Sequence, residues 1–291
     1  MIAETQIPKR FLDYISEEEA IYTEGTKITN VSRIPETSDI PLTNPNVWMK
    51  VKDVICVFVD MKNSTKLSAG SNPTTTAETY RLFTSTAVKL FHEVDAPYID
   101  IKGDGVFALF DGDQPHRALA AAVTFKTFAT ESFIPKIKGK TGVDVGVHVG
   151  IDCKTVLVRR LGLKRYGDRT DRQNEVWAGK PVNMAAKLAS LAKNDEVIVS
   201  DRFFSLLTNE KALRSCGCPA DKVVDLWEKL EFDDARFDFS VAHKLGSSWC
   251  KTHGADFCEN LLVTDARTEA SGRGLTIGMS KNISQQATRT S

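Results

Sequence analysis

The sequence predicts an α/β sandwich of ferredoxin-like topology, a sheet with helices packed on it. Three stretches carry that expectation. "DVICVFVD" is short, β-branched and almost wholly apolar, as a buried strand must be. "PYIDIKGDGVFALF" places two strand-like runs around a Gly-Asp-Gly turn. "VDVGVHVGI" alternates strictly, with Val143, Val145, Val147, Val149 and Ile151 on one face. Helical periods fill the gaps. The order is strand, helix, hairpin, helix, strand, arm, helix, strand.

The elements follow in turn. Residues 1–50 read as an N-terminal extension, with a polar helical stretch at "RFLDYISEEEAIY" and then a loop holding Pro35, Pro41 and Pro45. The main domain spans 51–245. After its first strand, Ala77, Tyr80, Phe83, Ala87, Leu90 and Val94 recur at helical spacing. The hairpin comes next, then a second amphipathic helix in "QPHRALAAAVTFKTFATESF" and the alternating strand. "RRLGLKRYGDRTDRQ" reads as a basic, solvated arm through Arg159, Arg160, Lys164, Arg165, Arg169 and Arg172. A helix begins near Pro181, where proline suits the first turn, and "EVIVS" is a short strand. Residues 246–291 read as a Gly/Ser/Thr-rich tail with a loose end.

Composition narrows the function. The 291 residues are 42% hydrophobic, enough for a sizeable core. Lys plus Arg and Asp plus Glu stand at 38 each, so no global charge calls for nucleic acid or an anionic membrane. No window approaches the roughly 18 apolar residues of a membrane span. The first twenty residues lack an apolar signal segment, so a cytoplasmic protein with reduced cysteines is expected.

Chemistry concentrates where the first strand ends. Asp60 terminates it, and Asp104 sits in the hairpin turn. If the hairpin flanks the strand, the two carboxylates converge, as a site for hard divalent cations requires. Asn63, Ser64 and Thr65 would then open a helix whose N–H groups face a triphosphate. The same residues also fit a plainer role, with Asp60 capping the next helix and Asp104 suiting a turn.

Four stretches in order resemble the class III nucleotidyl cyclases, the adenylate/guanylate cyclase catalytic domain: "FVDMKNSTKL", "IKGDGVFALF", "VGVHVGI" and "WAGKPVNMAAKL". The resemblance covers roughly residues 51–245. It implies a palm-type fold and a homodimer with composite sites. It also implies two divalent ions, Mn²⁺ or Mg²⁺, held by Asp60, Asp104 and the Met61 carbonyl. Asn183 matches the family's ribose-orienting asparagine. Lys187, four residues on and so on the same helix face, stands where the family has a transition-state arginine. It keeps the charge and loses the bidentate fork. His148 falls on the family's own strand histidine and reads as structural.

Base selection departs from the purine enzymes. The positions that the family uses are Asp100 and either Glu175 or Val176, and neither standard purine pair is present. An acidic Asp100 would accept the N3–H of uracil or the amino group of cytosine. "NEVWAGKPVNMAAKLA" and the "CGCP…LW" segment also resemble the bacterial pyrimidine cyclases of Pycsar antiphage systems. That resemblance implies conversion of UTP to cyclic UMP, read by a separate effector protein. Cytidylate and adenylate cyclases are the alternatives within the class. A degenerate nucleotide-binding sensor is the alternative outside it. Cys216, Cys218, Cys250, His253 and Cys258 could also ligate zinc, though the irregular C-x-C and C-x₂-H-x₄-C spacings favour ordinary reduced cysteines.

Overall fold

A computed structural model describes residues 7–163, 172–193 and 195–265. The chain divides into two compact units. One comprises residues 1–52 with 155–179, the other residues 53–154 with 180–291. The first unit holds α1 (Lys9–Glu24), β1 (Lys27–Val31), the opening residues of β2 (Val47–Lys62), the outer part of β5 (Gly146–Leu163) and β6 (Arg172–Gly179). The rest, α2 (Ser64–Gly70), α3 (Pro73–Glu93), β3 (Tyr98–Lys102), β4 (Gly105–Phe110), α4 (Pro115–Phe128), α5 (Ile134–Thr141), α6 (Lys180–Leu191), β7 (Glu196–Ser200), α7 (Asp201–Phe204), α8 (Glu210–Leu213), β8 (Trp227–Glu231) and β9 (Val241–Leu245), belongs to the second.

The sheet runs β3-β4-β2-β5-β7-β9-β8. Strand β4 pairs antiparallel with β2 and with β3, β5 runs parallel to β7, and β9 is antiparallel to β7 and β8. This is the expected sheet with helices packed on it, mostly antiparallel and mixed by the parallel β5–β7 and β1–β2 pairs. Alternation decides its faces. Ile55, Val57, Val59 and Met61 of β2, with Val145 just before β5 and Val147, Val149 and Ile151 within it, enter the main core. There they meet Phe83, Ala87 and Phe91 of α3 and the alanine-rich face of α4. Phe83 stands edge-on to Phe125 and Phe133, with centroids 5.0 and 5.4 Å away, the geometry that aromatic quadrupoles favour.

Helix α6 covers part of the opposite face, burying Met184, Ala185, Leu188 and Ala189. Gly150 permits its approach: a Cβ there would lie 2.0 Å from the Ala185 carbonyl oxygen and 2.5 Å from the Ala189 nitrogen. Backbone cannot yield as a flexible side chain can.

Three expectations need correction. The extension was read as a helix and a loop, yet Lys27–Val31 forms a strand, parallel to Val47–Val51. Its partner lies beyond a proline-rich stretch, so no local periodicity reveals it. The arm was read as solvated, yet Arg159 is 2% exposed. It donates to the carbonyls of Arg160, Asn44 and Leu42, and Arg160 donates to the Thr37 carbonyl and faces Glu175. Antiparallel pairing of β5 with β6 makes this segment a ribbon. Arg172 opens β6, while Lys164, Arg165 and Arg169 lie outside the described residues. Residues 246–291 read in the sequence as a Gly/Ser/Thr-rich tail, yet residues 254–265 form a helix. Its Leu261 is buried in the main core, and Asp265 accepts hydrogen bonds from the Arg117 amide and pairs with His116 Nδ1, both at 2.7 Å. Residues 266–291, the loose end, lie outside the described residues. Among the described residues no helix is long and apolar enough to cross a membrane.

Gly150→Ala tests the packing of α6. Displacing the helix from β5 should cost about 3 kcal/mol, seen as a lower urea midpoint in equilibrium unfolding. An unchanged midpoint would show that α6 does not lie on this glycine.

Candidate active site

Because Met61 and the odd-numbered residues of β2 enter the core, Cys56, Phe58 and Asp60 point to the other face. Cys56 is buried there, and burial pushes its thiol up in pKa. Asp60, the last acidic side chain of the strand, is half-buried. Val59 pairs with Val106, so the next step along β2 meets Gly105, and Lys102 pairs with Gly105 across the hairpin. Gly103 and Asp104 remain as a two-residue turn directly beside Asp60. A Cβ on Gly105 would lie 2.8 Å from the Phe58 ring and 3.2 Å from Asp60 Oδ1. The second glycine of the turn thus clears room for the carboxylate.

The electrostatics report the same crowding. The Asp60 carboxyl is pushed up to about 6, by burial first and by the charge of Asp104 second, while a hydrogen bond from the Met61 amide works against them. Two carboxylates and a strand-end carbonyl are hard oxygen donors, the set that suits Mg²⁺ or Mn²⁺. Bringing a cation between them removes the repulsion that raises Asp60. The residues present fit such an ion.

Other predicted positions divide. Asn63 adopts a left-handed conformation with φ 64° before α2, and its side chain does not cap the helix. The amide donates instead to the Asp144 carbonyl at 2.8 Å. That bond uses the side chain only and leaves the backbone N–H groups of Asn63, Ser64 and Thr65, at the start of α2, as the expected phosphate donors. Asp100 pairs with Phe107 across β3 and β4 and shares the Asp60 face. Its carboxylate holds Lys102 Nζ at 2.7 Å. Sequence reading missed Lys102, although a spacing of two in a strand places both side chains on one face. Glu175 and Val176 belong to the other unit. Glu175 faces Arg160 at 3.7 Å and Val176 is 37% exposed.

On α6, Asn183 is exposed and Lys187 half-buried. Lys187 Nζ donates to the Arg236 carbonyl at 2.7 Å. That carbonyl belongs to the loop between β8 and β9, which a buried charge network anchors. Asp152, fully buried, accepts from Arg202 Nε at 2.7 Å. Asp238 receives Lys154, Lys180 and Arg202 at 2.7, 2.9 and 3.1 Å. Burial works to raise the Asp238 carboxyl, but these three donors hold it well below the usual carboxylate range. No sequence pattern announces the network, because its five members come from four separate segments. His148 lies on the α6 face of β5 (its neighbours Val147 and Val149 enter the core), and burial and the charge of Lys62 lower its pKa.

Residues 47–218 match the family described as the Adenylate and Guanylate cyclase catalytic domain. The chain belongs to that family. It is 37% identical over 239 residues to a uridylate cyclase of Propioniciclava tarda, covering 80% of this chain and 76% of that protein. It is 35% identical over 238 residues to a uridylate cyclase of Micromonospora echinofusca, covering 77% and 76%. Among solved structures, the adenylyl cyclase CyaB of P. aeruginosa matches with a TM-score of 0.56 at 15% identity, over 69% of this chain and 96% of that one. Cyclase domains of this family work with divalent metals, consistent with the oxygen donors at the end of β2.

Proton and cation compete for Asp60. Its folded pKa of about 6 lies above the ordinary carboxylate value, so without metal the stability this group contributes is fully present below about pH 4. That contribution is lost as pH rises through about 6. Mn²⁺ affinity should therefore climb about tenfold per pH unit up to about pH 6 and then level, by titration calorimetry. Affinity that is flat from pH 5 to 7 would remove Asp60 from the metal site.

Proposed function

We propose that this cyclase converts UTP to 3′,5′-cyclic UMP and pyrophosphate, in the cytoplasm, as a second-messenger signal of antiphage defence. The observation that carries the reaction is the approach of Asp60 to Asp104 at the β2–hairpin junction, with Asp60 raised by its burial first and by the charge of Asp104 second. The uracil assignment is supported by the two uridylate cyclases above and by an acidic residue at Asp100.

Two divalent ions, Mn²⁺ or Mg²⁺, when bound would acidify the ribose 3′-hydroxyl and neutralise the triphosphate. Asp60, Asp104 and the Met61 carbonyl would hold them. Backbone N–H groups at Asn63, Ser64 and Thr65 take phosphate oxygens. The 3′-oxygen forms its bond to the α-phosphorus as the bond to the bridging oxygen breaks; the hydroxyl proton leaves to water and the electron pair leaves on pyrophosphate. Asn183 of a second copy orients the ribose. Lys187 of that copy exchanges the Arg236 carbonyl for the α-phosphate, whose charge grows in the transition state. Asp100 accepts the uracil N3–H while Lys102, already on its carboxylate, donates to the neighbouring carbonyl oxygen. Glu175 or Val176 stands at the second position expected to read the base. Cyclic UMP then acts on a separate effector protein.

Lys187 in place of arginine, already bonded to a carbonyl, also favours a second reading: a sensor that binds nucleotide and does no chemistry. Incubating the protein with UTP, CTP, ATP or GTP and either metal separates the cases. Cyclic UMP should exceed every other product by at least about tenfold. Preferential cyclic CMP or cyclic AMP overturns the uracil assignment, and tight binding without pyrophosphate selects the sensor.

Asp60→Asn and Lys187→Ala should each fold yet lose at least about a hundredfold in turnover. Mixed together, the two inactive proteins should recover about a quarter of the wild-type rate, because half the dimers then carry one intact composite site. No recovery would place both residues in the same protomer's site.

A further inference from the structure

Two segments far apart in sequence bring four metal-ligating side chains to one point. Cys216 and Cys218 lie in the loop after α8; Cys250 and His253 lie just before the helix of residues 254–265. Their ligand atoms all fall within 4.8 Å of one another, and Cys218 Sγ stands 3.4 Å from His253 Nδ1. Cys250 Sγ is 4.0 Å from the same nitrogen. In a tetrahedral zinc site, Zn–S of about 2.3 Å and Zn–N of about 2.0 Å put S···S edges at about 3.8 Å and S···N edges at about 3.5 Å. Side-chain adjustments of an ångström or less therefore close the cluster around one ion. Four protein ligands of this kind leave no open position, which is the mark of a structural site.

The other cysteines supply the contrast. Cys56 and Cys153 are buried singly, and Cys258 sits 3.9 Å from Thr124 Oγ1 against the core. Irregular spacing hid the set in the sequence: the fifth candidate, Cys258, is turned away, and the remaining C-x-C and C-x₂-H pairs meet only through the fold.

We propose that Cys216, Cys218, Cys250 and His253 bind one structural zinc ion. Each thiol gives its proton to solvent as its sulfur bonds the metal, and His253 contributes the Nδ1 lone pair. The ion clamps the loop after α8 to the start of the C-terminal helix. That helix inserts Leu261 into the main core and presents Asp265 to His116. The clamp also forms part of the wall of an apolar cavity of about 470 Å³, lined in part by Leu119, Val123, Trp249, Phe257 and Leu261. Its residues are shared with no part of the Asp60 site.

The test is elemental analysis of the full chain, purified without a metal-affinity tag or chelator from zinc-supplemented cells. Zinc should be present at about one per chain. The double variant Cys216→Ser, Cys250→Ser should lose it at least tenfold, whereas His253→Cys should retain it. Protein from cobalt-supplemented cells should show the intense absorption of tetrahedral thiolate-bound Co²⁺, a readout that stands even if the serine variant does not fold. Zinc below about a tenth per chain in the parent, retention in the double variant, a weak octahedral cobalt spectrum, or a disulfide among the three cysteines would each overturn the site.

Discussion

The active-site arrangement rests on one register: β2 against β4, with Val59 opposite Val106. Side chains in a strand alternate, so a slip of one residue would send Asp60 into the core and Met61 out of it. The register is held by what it buries. Ile55, Val57 and Val59 on one strand, and Val106, Ala108 and Phe110 on the other, enter the same core and tolerate no exchange with their neighbours. The apolar half of the pattern thus aims the acidic half. Asp60 arrives beside the hairpin tip because of residues that never touch a ligand.

That placement works against stability. A half-buried carboxylate next to another carboxylate is an arrangement that folding alone would not favour, and the raised Asp60 reports it. The neighbourhood of Asp238 shows the opposite solution. There three cationic side chains surround one carboxylate and hold it ionised, tying down the β8–β9 loop and with it the carbonyl that receives Lys187. Among the described residues the first acidic group shows no ion pair with a protein cation; the other is saturated and serves as an anchor.

Much of this was legible in the sequence, for physical reasons. β2, the hairpin and the first half of β5 announce themselves because β-branched content, turn residues and strict alternation are local signals. The two aspartates proposed to hold metal are legible because each sits where such a signal stops. What escaped depends on partners distant in sequence. Strand β1 needs Val47–Val51 beside it. The helix over 254–265 is stabilised by α4 and by the His116–Asp265 pair, whose members are 149 residues apart. Arginines 159 and 160 looked solvated because charge in a sequence is read as exposure, and only the fold supplies their carbonyl acceptors.

Those acceptors give the N-terminal segment a role beyond covering surface. Carbonyls of Thr37, Leu42 and Asn44 receive the guanidinium groups of Arg159 and Arg160, and the Pro41 carbonyl accepts the Arg160 amide. A fragment trimmed to the motif-bearing core at residue 51 would strip every one of these partners from a cation that is otherwise out of water's reach. The shortest stretch that looks like an enzyme is therefore not the shortest stretch that can fold as one.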